Sequence, residues 1–304
     1  MTIALDFDRD GRDWPNRDAS RFVDAAGIRF HVQVMGQGAP LLLLHGTGAS
    51  THSWRDVMPE LARHFTVIAP DLPGHGFTRF ASSRDLSRSG MAHGVAALLR
   101  VLDMTPVRAV GHSAGAVILL ELVAKQLAAI PDLVSFNGAF FPVSGLGGQF
   151  FSPLAKLITG FGFVPRLVTA MADKRSVERL LRDTGSAINA RGIALYQRLF
   201  SSEAHVAGTL KMMAEWTLTD TERQLRTLQS RLHLVKTLGD KTVPPETADR
   251  VAAIVPHPHL ITIPRLGHLA HEEEPDLAAR IIADPDQFSF VDETHMADAT
   301  RRAS

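Results

Sequence analysis

Residues 107–125, VRAVGHSAGAVILLELVAK, constrain the fold more than any other stretch of this 304-residue chain. They read as a short apolar strand, the turn Gly111-His112-Ser113-Ala114-Gly115, and an apolar helix. A turn from strand straight into helix is so tight that the serine backbone is strained. Side chains two places before and two after the serine would collide, which accounts for glycine at both positions. Such a turn holds the Ser113 hydroxyl out at the carboxyl end of a sheet. The first N–H groups of the new helix then point at any negative charge that forms beside it. Glycine–serine turns are common by themselves. One that follows a buried strand and opens an apolar helix marks a nucleophile.

The rest of the chain supplies a matching frame. Phe22-Val23 and residues 28–34 alternate as a hairpin of half-exposed strands. Residues 40–44, Pro followed by four leucines, form an apolar run too short for a helix, so both faces of that strand are covered. It ends in the glycine-rich turn His45-Gly46-Thr47-Gly48. A helix is expected over 53–63, a buried strand over 65–69, a turn over 71–76, and a helix over 89–102 before the serine strand. A further strand covers 133–137. From about 141 to 225 the pattern is helical only, as over 176–182, 193–200 and 204–216. Strand rhythm returns at 232–238 and 260–263. Strands alternating with helices predict an α/β protein, with a mostly parallel central sheet covered by helices on both faces. The expected division is a core of residues 1–140 and 226–285, an inserted helical cap over 141–225, and a loose tail over 286–304.

A serine needs a base, and the base an orienting group. Asp240, in Leu238-Gly239-Asp240, stands just past one strand; His268, directly after Gly267, stands just past the last. The order Ser113, Asp240, His268 is that of an α/β-hydrolase, with Ser113 attacking, His268 carrying the proton and Asp240 fixing the imidazole. The Thr47 and Ala114 N–H groups are candidates for an oxyanion hole, at about 3 kcal/mol per donor. Asn137 occupies the other place where such an acid can sit, and His271 competes with His268 as base; Asp240 and His268 are the better fits. His75 and His112 read as supporting groups beside the motifs. His257-Pro258-His259 looks ligand-like, but no third ligand is apparent, so a surface loop is expected. The run Lys174, Arg175, Arg179, Arg182 reads as a solvated helix face. Apolar residues of the inserted segment, among them Phe141, Phe150, Phe151 and Leu154, are expected to wall a substrate pocket.

Composition narrows the classes further. Formal net charge is zero, so nothing marks a nucleic-acid partner. No cysteine occurs, which rules out disulfides, thiolate metal sites and a cysteine nucleophile, and makes a reducing cytoplasm the expected compartment. The amino-terminal stretch alternates charges and does not read as a signal peptide. Residues 133–155 carry no charge, yet Asn137, Pro142, Gln149, Pro153 and four glycines interrupt them, so no membrane span is expected. No motif implies a cofactor or a metal.

The layout resembles the α/β-hydrolase fold over most of the chain. More narrowly, Asp13-Trp14-Pro15-Asn16-Arg17, HGTGASTHSWRD from His45, AHVAGTLKMM from Ala204 and LGHLAHEE from Leu266 are similar to the BchO family of magnesium-chelatase accessory proteins of bacteriochlorophyll synthesis. That resemblance implies a role beside magnesium insertion into protoporphyrin, with a porphyrin-like apolar ligand and magnesium chelatase as partners. Two functions follow: hydrolysis of an apolar ester-like bond, or non-catalytic porphyrin carriage on a hydrolase scaffold.

Overall fold

A computed structural model describes residues 4–142 and 163–290. Eight strands form one sheet: β1 Ser20–Ala25, β2 Ile28–Met35, β3 Ala39–Leu44, β4 Phe65–Pro70, β5 Arg108–His112, β6 Asp132–Phe136, β7 Arg231–Thr237 and β8 Pro258–Ile263. Their spatial order is β1-β2-β4-β3-β5-β6-β7-β8. The pairings β1–β2 and β2–β4 are antiparallel and the others parallel. The hairpin closes through Ala26 and Gly27, both at positive φ, the two-residue turn whose twist matches that of its strands.

The helices are α1 Phe7–Asp10, α2 Val57–Leu61, α3 Arg88–Val101, α4 Ala114–Ala124, α5 Val164–Met171, α6 Lys174–Asp183, α7 Ala190–Phe200, α8 Glu203–Glu215, α9 Thr221–Arg226, α10 Glu246–Ala252, α11 Ala270–Glu273 and α12 Pro275–Ala283. The leucine run of β3 behaves as its length requires. Leu42 and Leu44 pack into the cluster containing α3 and α4 residues, Leu41 and Leu43 into the one containing Trp54, Met58, Leu277 and Ile281. Period-two alternation thus builds two hydrophobic layers from one continuous apolar segment, one on each sheet face.

The single helix expected over 53–63 is broken instead into a 3-10 turn, Thr51–Trp54, and α2. Pro59 explains the break: its ring clashes with the carbonyl four residues back and it donates no N–H. That carbonyl, of Arg55, accepts from Asn16 Nδ2 at 3.0 Å.

Helices α5–α9 all lie between β6 and β7, and they are fastened to loops at the sheet's carboxyl end. His205 of α8 accepts from Gly76 N and faces Gly48 O through Nε2, each at 3.1 Å. Thr184 O accepts from the N–H groups of Lys241 and His268, and Ser186 Oγ from that of Leu269. A buried Arg55–Glu272 ion pair is completed by Tyr196 of α7, whose hydroxyl donates to Glu272 Oε1 at 2.7 Å. In α6, Val177 and Leu181 are buried while Lys174, Arg175, Arg179 and Arg182 are exposed, as expected of a solvated basic face.

Candidate active site

The elbow has the strain its sequence demands. Ser113 lies at φ 52°, ψ −113°, between β5 and α4. A side-chain carbon at Gly111 would stand 2.4 Å from Ala116 N, and one at Gly115 2.4 Å from Leu44 O. No rotamer relieves a clash with backbone, so glycine is required at both places. A non-glycine residue at such a φ costs energy that the surrounding packing must offset.

The candidate acid and base meet. His268 Nδ1 lies 2.7 Å from Asp240 Oδ2, and both side chains are buried. Asp240 Oδ1 accepts from the N–H groups of Thr242 and Val243 at 2.7 and 2.9 Å. The carboxylate is therefore locked by its own turn, with one oxygen left for the imidazole. This arrangement sets the tautomer: Nδ1 carries the proton and donates, and Nε2 keeps its lone pair.

Two groups bring the His268 loop to the serine. His112, adjacent to Ser113, lies with Nε2 2.9 Å from His268 O, and the two rings are 4.7 Å apart. Asn137, just after β6, donates from Nδ2 to His268 O at 3.1 Å and to Thr237 Oγ1 at 3.0 Å, and accepts from Thr237 N at 3.1 Å. Asn137 is thus a clasp on the main chain of His268, whose ring Nδ1 pairs with Asp240 instead. Burial keeps His112 neutral by lowering its pKa far below the ordinary value, and the neighbouring rings of His271 and His268 act the same way.

The loop after β3 is held by histidines as well. His45 Nδ1 lies 2.8 Å from Gly46 O, while its Nε2 accepts from Leu72 N at 2.9 Å. A side-chain carbon on Gly46 would stand 2.7 Å from His112 Nδ1 and 3.2 Å from Ser113 Cβ, so the loop runs directly against the serine. Thr47 follows it and is half-buried. Ala114 is the first residue of α4, so its N–H has no intrahelical partner.

Other expectations are placed as follows. His271 is fully buried against Trp54 and His112, with ring centroids at 4.4 and 4.5 Å, and neither ring nitrogen has a partner among the described residues. It is a packing residue. His75 is buried between His45 and His205. The turn over 71–76 wraps the Asp71 carboxylate, which accepts from Thr51 N, Phe77 N and His31 Nδ1. The coulombic and hydrogen-bonding pull of His31 overrides burial and holds that carboxyl well below the usual range. Phe141 belongs to the larger core cluster, and the Arg250 guanidinium sits 3.7 Å from its ring centroid. Phe150, Phe151 and Leu154 lie outside the described residues. Among the described residues no helix is long and apolar enough to cross a membrane.

Residues 41–281 match the model of the alpha/beta hydrolase family. The chain is 35% identical over 276 residues to the magnesium-chelatase 30 kDa subunit of Rhodobacter capsulatus, covering 89% of this chain and 95% of that one. It is 26% identical to 2-hydroxy-6-oxo-2,4-heptadienoate hydrolase of Pseudomonas putida, covering 88% and 96%. An alpha/beta hydrolase fold protein from Burkholderia ambifaria superposes with a TM-score of 0.70 at 24% identity, over 87% of this chain and 99% of that one. With a strained serine elbow, an aspartate–histidine pair on the following loops and a family match spanning most of its length, the chain belongs to the alpha/beta hydrolase family.

Proposed function

We propose that this protein is a serine hydrolase acting on an ester-like bond of an apolar substrate, working beside magnesium insertion in bacteriochlorophyll synthesis. The observation that carries the catalytic half is the His268 Nδ1–Asp240 Oδ2 contact of 2.7 Å, presented on loops that His112 and Asn137 tie to the elbow. In this reading Ser113 Oγ attacks the acyl carbon and His268 Nε2 takes its proton. Asp240 stabilises the resulting imidazolium. The Thr47 and Ala114 N–H groups receive the oxyanion. As the intermediate collapses, the bond to the leaving alcohol breaks and the imidazolium gives that alcohol its proton. Neutral His268 then activates water to hydrolyse the acyl-enzyme and free Ser113. No metal or cofactor takes part in the scheme.

The pathway half is supported by the similarity to the Rhodobacter capsulatus subunit, which spans nearly all of that protein. In this reading a magnesium tetrapyrrole or its ester is the substrate class, magnesium chelatase the partner and the cytoplasm the compartment. Residues 141–225 act as the cap, with Phe141, Phe150, Phe151 and Leu154 as pocket candidates. The same relative favours a second reading, since its name is that of a chelatase subunit: a porphyrin-binding accessory that does not use the serine.

One experiment separates the two. A fluorophosphonate probe is expected to label the protein at Ser113, and a strain lacking the gene should not be rescued by the Ser113→Ala variant. Labelling with full rescue by Ser113→Ala would assign the accessory role. Absence of labelling in the parent protein would remove the hydrolase reading.

A further inference from the structure

The amino end of the sheet, opposite the end that carries Ser113, holds a second group of chemistry-bearing side chains. His233 is the third residue of β7 and His259 the second of β8, and the two stand directly opposite in the parallel register. Asp286 reaches them from the 3-10 turn Pro285–Gln287 that follows α12. His259 thus lies within an edge strand, not in the loop its sequence suggested, and the missing ligands come from segments 26 and 27 residues away in either direction.

We propose that His233, His259 and Asp286 form a binding site for one zinc ion. The geometry is close to what the ion needs. His233 Nδ1 and His259 Nδ1 are 3.0 Å apart, His259 Nδ1 and Asp286 Oδ1 3.8 Å, and one ligand atom from each of the three residues falls within a 4.8 Å group. Tetrahedral zinc with bonds of about 2.0–2.1 Å sets its donors about 3.3 Å apart, between the two measured values. Two imidazoles with one carboxylate suit zinc, whereas magnesium and calcium select oxygen donors.

The surroundings fit a ligating histidine. The His233 ring is fully buried, and its second nitrogen, Nε2, makes no hydrogen bond among the described residues. That nitrogen faces Asp132 Oδ1 at 3.6 Å, and Arg108 holds Asp132 through the other oxygen at 2.8 Å. Ligating histidines turn the second N–H towards a carboxylate in this way, which fixes both tautomer and ring orientation. Arg231 Nη2 lies 2.5 Å from the same Asp286 Oδ1 that faces His259, so the guanidinium competes with the metal for that oxygen. When the ion binds, the guanidinium would have to yield it, or the carboxylate turn its other oxygen inward. His259 and Asp286 are partly exposed, which gives the ion a way in and leaves a fourth position for water.

Occupancy would staple the segment after α12 to the sheet edge. That segment is already attached there by Thr262 N donating to Ser289 O at 3.0 Å. Zinc should therefore raise thermal stability without contact with the elbow.

The test uses the full chain after dialysis against chelator. Zinc is titrated against a chromophoric indicator, cobalt is used to read tetrahedral d–d bands, and the unfolding midpoint is followed with and without zinc. One equivalent should bind with micromolar affinity or better and raise the midpoint. His259→Gln and Asp286→Asn, both partly exposed positions, should each weaken binding at least tenfold and abolish the midpoint shift, while His257→Gln leaves both unchanged. Absence of one-to-one binding would show that the cluster is a histidine hydrogen bond beside an Arg231–Asp286 ion pair. Binding lost in His257→Gln but kept in His259→Gln would likewise overturn the site.

Discussion

Asn137 Nδ2 lies 3.1 Å from the main-chain oxygen of His268, across 131 residues of sequence. The same amide is paired on both sides with Thr237, at the end of β7. Asn137 itself stands at φ 48°, where asparagine is tolerated better than most residues. It is thus a positioning residue for the proposed base. Asn137→Gly should keep the backbone but lose the clasp, at about 1–3 kcal/mol for the buried partners left unpaired. Asn137→Ala should lose about 1 kcal/mol more, because alanine resists the positive φ. Urea unfolding measures that difference. Probe labelling at Ser113 should slow in both variants to a similar extent, and unchanged labelling would detach Asn137 from the His268 loop.

Asp240→Asn tests the tautomer. Thr242 and Val243 can still donate to the remaining oxygen, so the turn should survive. The new amide would offer a donor where the imidazole needs an acceptor, leaving the proton on the wrong nitrogen. A fall of up to about 10⁴ in labelling rate or turnover is expected, with the melting midpoint nearly unchanged. His268→Ala should abolish labelling. Equal labelling in Asp240→Asn and the parent would remove Asp240 from the chemistry.

The strain at Ser113 predicts an inversion of the usual glycine penalty. Its φ of 52° with ψ of −113° costs a residue with a side chain about 1–3 kcal/mol. Glycine adopts that conformation freely, at an unfolded-state cost of about 0.5–1 kcal/mol. Ser113→Gly should therefore be more stable than Ser113→Ala by about 1 kcal/mol, although neither can be labelled. Equal urea midpoints for the two variants would mean that the elbow stores no strain.

What was legible in the sequence was burial, and what was hidden was contact. The run Leu41 to Leu44 announces a strand covered on both faces because period-two alternation leaves none of the four side chains exposed. The elbow, Asp240 and His268 are legible as candidates because each follows a strand, and strand ends share one edge of a parallel sheet. Pro59 was enough to break a helix, yet apolar spacing over 53–63 masks it. Asn137 and His112 are legible only as groups beside the motifs; what each holds is hidden, since their partners lie 100 to 156 residues away. His259 was visible as a ligand type, but its neighbours His233 and Asp286 are adjacent only through sheet register and the return of α12.

The last prediction concerns acid. His52, His75, His112 and His271 are fully buried, and burial lowers each pKa far below the ordinary value. His205 is lowered to about 4 for the same reason. In the unfolded chain these rings titrate near 6.5, so below that pH the unfolded state binds protons the folded state refuses. Stability is then fully present above about pH 6.5 and falls as the pH drops towards the folded values. Each histidine contributes about 1.4 kcal/mol per pH unit across that window. Carboxylates held low in the fold, such as Asp71, oppose nothing there, because they begin to matter only near pH 4. Several such histidines act in the same direction, so acid should destabilise the fold well before its carboxylates titrate. Urea midpoints should therefore be nearly flat above about pH 7 and fall steeply below about pH 6.5. His271→Leu removes one titrating ring whose two nitrogens have no hydrogen-bond partner among the described residues. It should flatten the fall below about pH 6.5 by about 1 kcal/mol per pH unit and be no less stable than the parent at about pH 5.5. Identical slopes for the parent and His271→Leu would show that His271 is not held neutral in the core.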